Sequence, residues 1–162
     1  MLELMYAHEG VGLAANQVDL PIRLFIMNPT GKADEKDQER VFINPVLSKQ
    51  KGNVEAEEGC LSLPGLYAPV KRPERVTISG YDLSGQQVTI EAGGLIARIV
   101  QHENDHLDGT LIIDRLSETV RMQVKTLVEE FENEFRQRRE QGEIPELPQI
   151  AARWAETESR WT

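Results

Sequence analysis

The chain has 162 residues, 18 Lys and Arg against 27 Asp and Glu, and a formal charge of −9. That length suits one domain able to bury its own core, and 40% hydrophobic with 28% charged residues is a globular composition. One cysteine excludes a disulfide framework, no apolar run reaches the roughly 18–20 residues of a membrane span, and the acidic balance argues against a nucleic-acid backbone as partner. A reduced intracellular domain with no DNA and no membrane among its partners is expected.

Leu2, Met5 and Tyr6 read as the end of an amphipathic helix that no N-cap precedes. Gly10 to Ala15 is too rich in glycine for a regular helix. Ile22 to Met27 follows Pro21 and reads as a strand, and Gly31 to Arg40 as an exposed loop. Val41 to Ile43 resumes strand character, Asn44-Pro45 is expected to turn the chain, and Val46 to Ala56 is a further strand. Glu57 to Gly65 carries the punctuation of a structured loop. Val76 to Tyr81 and Gln87 to Ala92 alternate around a turn at Asp82–Gly85 and predict a β-hairpin.

A helix is predicted from Leu95 to Leu107, stopped by Asp108-Gly109. A second runs from Ser117 past Arg136, with an apolar stripe of Leu116, Val120, Val124, Leu127, Val128, Phe131 and Phe135. After Gln141 the breaks at Pro145 and Pro148 suggest a loose tail, with Trp154 and Trp161 as docking points. Strands followed by helices predict an α+β fold. Residues 1–141 are expected to form one catalytic domain and 142–162 a C-terminal tail.

The strongest chemical signal is His102-Glu103-Asn104-Asp105-His106 inside the first predicted long helix. Residues four apart share a helix face, so both imidazoles can reach one metal ion, with Glu103 placed to take a proton from water beside it. A pair of surface histidines is the bland alternative. Such a centre needs a third protein ligand. Asp108 and Glu118 follow without a familiar spacing, and His8 lies outside any ligand pattern. Cys60 lies in a Gly-rich loop, and its thiolate would complete a site suited to Zn(II) or Fe(II). A lone cysteine is more often a small buried apolar residue, but the loop setting favours ligation. An oxyanion formed at such a centre needs donors, for which the Leu61 N–H and the Gln17 amide are candidates.

Three segments together resemble peptide deformylase: Gly10-Val11-Gly12-Leu13-Ala14-Ala15-Asn16-Gln17, Glu58-Gly59-Cys60-Leu61-Ser62, and Gln101-His102-Glu103-Asn104-Asp105-His106. The resemblance covers about Met1 to Leu116. It implies short antiparallel β-sheets around a central helix carrying the histidines, followed by a C-terminal helix. It implies hydrolysis of the formyl group from N-formylmethionyl peptides, releasing formate. Carried onto this sequence, Cys60, His102 and His106 resemble the metal ligands, Glu103 the general base and then acid, and Gln17 with the Leu61 N–H the oxyanion donors. Gly12 resembles the backbone position that pairs with substrate, and Val11, Leu95 and Ile99 are candidates for the methionine pocket. Arg98 either shields that pocket or is a solvated or salt-bridged surface residue.

The resemblance implies Fe(II) as the ion, with Zn(II) or Ni(II) able to replace it. The expected location is the bacterial cytoplasm. Family members usually carry a few tens of residues before the first motif, so a site in a less stable domain is expected, and an organellar origin with a missing targeting segment stays open. Docking of the C-terminal helix on the ribosome near the exit tunnel is a further implication, for which Arg136, Arg138 and Arg139 form a basic cluster. Two rival readings are a zincin-type peptidase, which would not need Cys60, and a degenerate non-catalytic family member acting in metal binding or ribosome docking.

Overall fold

The structure is a computed structural model and describes residues 1–160. Helix α1 (Leu2–Ala7) buries Met5 and hands the chain to a short strand, β1 (Gly12–Ala14). A single 3₁₀ turn over Ala15–Val18 follows, then β2 (Leu24–Met27). β3 (Arg40–Lys51) is one long strand where a turn at Asn44-Pro45 is expected. The chain absorbs that proline with a register shift between Ile43 and Val46, and Asn44 takes a φ of +50° instead of ending the strand.

β4 (Val54–Gly59) and β5 (Tyr67–Arg72) pair as a separate two-stranded sheet. The predicted hairpin is β6 (Arg75–Tyr81) and β7 (Gln87–Gly93). The main sheet is antiparallel in the order β1-β2-β3-β6-β7. Helix α2 (Gly94–Leu107) lays Ala97, Ile99 and Val100 on that sheet, against Phe25, Met27, Phe42, Val76 and Ile78. Asp108 caps it, and the next residue, Gly109, has a φ of +73° that favours a residue without a side chain.

Helix α3 (Glu118–Glu140) starts at Ser117, whose hydroxyl accepts from the Val120 N–H. Val120, Val124, Leu127, Val128 and Phe131 cover a second core made by Cys60, Leu63, Leu66, Ala68, Val70, Ile112 and Leu116. The stripe stops there, because Phe135 is exposed. The expected loose tail is corrected: α4 (Leu147–Ser159) is helical, with Pro148 in its first turn, where proline starts a helix instead of breaking it. Trp154 does dock, donating from Nε1 to Asp19 Oδ1 at 2.6 Å, while Arg153 pairs with the other carboxylate oxygen at 2.5 Å. Trp161 lies outside the described residues. Among the described residues no helix is long and apolar enough to cross a membrane.

Candidate metal centre

The helical spacing of His102 and His106 brings their Nε2 atoms to 3.2 Å of each other, and the Cys60 Sγ lies 3.3 Å from His106 Nε2. The three candidate ligand atoms all lie within 4.8 Å of one another. At most one proton fits between two ring nitrogens this close. A single divalent cation satisfies both, and the thiolate with them. The donor set therefore fits a metal. Cys60 also packs among apolar neighbours, so its small buried character and its place in the cluster coexist. Asp108, the alternative ligand, points away and pairs with Arg23 at 2.9 Å. Glu118 begins α3, and His8 caps the end of α1 at the mouth of the pocket.

Behind the ligands runs a buried ionic network. Glu58 Oε2 lies 3.1 Å from His102 Nδ1, the arrangement that fixes the ring and its tautomer so that Nε2 faces inward. Arg72 holds Glu58 with a two-pronged pair at 2.6 and 2.9 Å and reaches Asp105 at 2.8 Å. Asp105 also receives Arg115. Burial pushes the Glu58 carboxyl up, but His102 and Arg72 outweigh it and hold it at about 2. Burial likewise raises the Cys60 thiol, yet the two histidines bring it down to about 5. Burial lowers His102, while Cys60 and Glu58 outweigh that and lift it to about 10. The protein groups alone thus favour a thiolate, the form that binds metal.

Glu103 differs. It is 4% exposed, its Oε2 has no hydrogen-bond partner among the described residues, and burial pushes its pKa to about 7. Gly12 of β1 lies directly against it, and a Cβ there would collide with the carboxylate. Asn16 ties the following 3₁₀ turn to α2, donating from Nδ2 to the His106 carbonyl at 2.5 Å. In that turn Gln17 Oε1 accepts from the Ala14 N–H at 2.8 Å, and its Nε2 donates to the Ser62 hydroxyl at 2.9 Å. An amide nitrogen has two hydrogens, so one remains for the pocket.

The ligands open into a cavity of about 480 Å³ whose lining includes Val11, Gly12, Gln17, Leu61, Leu95, Ile99 and Glu103. Leu95 is 55% exposed at its mouth, whereas Ile99 is 4% exposed and also belongs to the main core. Arg98 lines the cavity too, yet its guanidinium turns inward onto Glu58. The roles of Glu58, Arg72 and Asp105 are absent from the sequence reading. Glu58 lies near the end of β4, two residues before Cys60, so the chain itself keeps it close to the candidate ligands. Ala68, Val70 and Arg72 alternate inward on β5.

A model of the polypeptide deformylase family matches residues 1–122. The chain belongs to that family. The peptide deformylase of Rhodopirellula baltica is 48% identical over 162 residues, which are 100% of this chain and 80% of the relative. That of Chromobacterium violaceum is 43% identical over 134 residues, 83% of this chain and 78% of the relative. The crystal structure of Arabidopsis thaliana peptide deformylase 1B superposes with a TM-score of 0.81 at 40% identity, covering 85% of this chain and 76% of that one. Membership makes the chain a metal-dependent hydrolase of the deformylase type, and the peptidase and non-catalytic readings are not favoured.

Proposed function

We propose that this pocket removes the formyl group from N-formylmethionyl nascent peptides by hydrolysis, releasing formate. The observation that carries the reading is the convergence of Cys60, His102 and His106 beside a buried carboxylate with one oxygen unpartnered among the described residues. In this reading those three residues hold one divalent ion, Fe(II) first, with Zn(II) or Ni(II) able to substitute. When bound, the ion supplies Lewis-acid activation of water and of the formyl oxygen.

Glu103 takes a proton from the attacking water as its oxygen bonds to the formyl carbon. The same carboxyl then gives that proton to the amine as the carbon–nitrogen bond breaks. Burial raises the proton affinity of that carboxyl, which favours holding the proton between the two steps. Gln17 Nε2 and the Leu61 N–H donate to the oxyanion that develops between these steps. β1 is an edge strand, so an extended peptide can add to it along Gly12 through backbone bonds with little sequence demand. Val11, Leu95 and Ile99 supply apolar surface for the methionine side chain.

Residues 1–141 act as the catalytic domain in this reading, and the bacterial cytoplasm is the location that the bacterial relatives support. Ribosome docking enters only as an implication of the family. Arg136, Arg138 and Arg139 lend it no support, because each is paired with a glutamate: Glu132, Glu143 and Glu146.

The test is formate release from formyl-Met-Ala-Ser by protein prepared without oxygen and loaded with Fe(II) or Ni(II). Glu103→Ala is expected to retain the metal and lose turnover by a factor of about 10² or more. Turnover near that of the parent would remove the mechanism.

A further inference from the structure

The candidate ligands sit on two separate pieces of structure. Cys60 follows β4 of the two-stranded sheet, whereas His102 and His106 ride on α2. Their spacing depends on what fastens the β4–β5 hairpin to that helix. Apolar packing does little of it. The buried apolar residues of the hairpin pack toward Ile112, Leu116 and α3, while those of α2 pack on the five-stranded sheet. The seam between the two pieces is polar, and two arginines cross it in opposite directions.

Arg72 crosses from β5 to Asp105 on α2. Arg98 crosses from α2 to both strands of the hairpin. Its Nη1 donates to Glu58 Oε1 at 2.5 Å and to the Val70 carbonyl at 3.0 Å, and its Nη2 donates to the Val54 carbonyl at 3.1 Å. The Ala56 carbonyl lies at 3.5 Å from Nη1. One planar fork therefore holds carbonyls on β4 and β5 together with the carboxylate that orients His102. The side chain is only 11% exposed. Neither a solvated surface residue nor a simple apolar shield makes such bonds.

We propose that Arg98 is a positioning residue of the metal centre: it fastens α2 to both strands of the Cys60-bearing hairpin and, through Glu58, fixes the His102 ring, so that the three ligand atoms keep their spacing. This rests on the reading that Cys60, His102 and His106 hold the ion. Loss of Arg98 lets the hairpin shift against the helix. Metal affinity then suffers directly, whatever happens to turnover. Removing a group that orients a ligand typically weakens binding by about 10–100-fold.

The test uses the full-length chain loaded with Co(II), whose thiolate and ligand-field absorption bands report the ligand set without reference to activity. Affinity is read by competition with a chelator. Arg98→Met keeps most of the stem and removes every donor, and it is expected to weaken Co(II) about 10–100-fold with altered bands. Arg98→Lys keeps the charge but cannot bridge both strands, and an intermediate loss is expected. If Arg98→Met does not fold, Arg98→Lys decides: a loss of about tenfold or more supports the proposal.

A folded Arg98→Met, or in its absence Arg98→Lys, that binds Co(II) within about threefold of the parent with unchanged bands overturns it. A purely structural role would lower the melting temperature and leave the bands alone. Cys60→Ala separates the two claims. If that variant keeps the parent's Co(II) affinity and thiolate band, the ligand assignment itself is wrong. If it loses them while the Arg98 variants do not, only the present proposal falls.

Discussion

Glu103 keeps an ionisable carboxyl where a neutral side chain of the same shape would be more stable. It is 4% exposed, one oxygen is unpartnered among the described residues, and burial pushes its pKa from 4.5 to about 7. In the unfolded chain the carboxyl titrates near 4.5 again. Between those two values the folded protein still holds a proton that the unfolded chain has released, so stability falls as pH rises through the window. At about 1.36 kcal/mol per pH unit, the displacement from 4.5 to about 7 is on the order of 3 kcal/mol, fully lost by pH 8.

Glu103→Gln keeps the volume and removes the titration. In chelator-treated protein it is expected to be more stable than the parent by about 2–3 kcal/mol at pH 8 and equal to it at pH 4.5. Urea denaturation at pH 4.5, 6 and 8 measures this, as a shift in midpoint with an unchanged slope. Midpoints that move in parallel for the two proteins would refute the reasoning, because the carboxyl would then titrate alike folded and unfolded. A gain in stability that accompanies lost turnover is the usual sign of a residue retained for chemistry.

Gly12→Ala places a methyl group against the Glu103 carboxylate. It is expected to cost about 10²-fold in kcat/KM, the effect of a misplacement of about 1 Å, while metal content stays at the parent's level. Turnover and metal analysis on one preparation check it, and parent-like turnover would show that β1 and Glu103 separate without penalty. Truncation after Glu146 removes α4, which buries no residue and holds Asp19 through an exposed ion pair and the Trp154 bond. Such contacts contribute about 0.2–1 kcal/mol each, so calorimetry should find the melting temperature lowered by less than about 8 °C. A fall of 10 °C or more would place α4 in the core.

The three motifs, the β6–β7 hairpin and the metal helix were legible in the sequence because each is local. Residues four apart on α2 need only the helical repeat to meet, and the hairpin needs only alternation around a turn. β5 is hidden because Tyr67 to Arg72 holds Pro69 at an exposed position of a two-stranded sheet, where a proline is tolerated but obscures the strand signal. α4 is hidden in the sequence because a proline more often breaks a helix, whereas Pro148 stands in the first turn of one. The network behind the ligands has no local signature. Glu58 meets Arg72 at a separation of 14 residues, Arg98 at 40 and His102 at 44. Only the folded chain brings those charges together.

The apolar neighbourhood of Cys60 has a consequence for how the protein is made. Every candidate ligand has been synthesised once His106 is added, yet the cluster around the thiol is completed by Ile112, Leu116 and α3, which are translated afterwards. A domain folds as a unit, so the cover over Cys60 is completed only when α3 is available to pack. In the folded chain His102 and His106 hold the Cys60 thiol down at about 5, so the sulfur is a thiolate, the form that oxidants attack, in the same structure in which α3 covers its apolar neighbours. The fold thus creates the reactive form of the sulfur and supplies its cover together, and the cover comes from α3, which is translated after every candidate ligand.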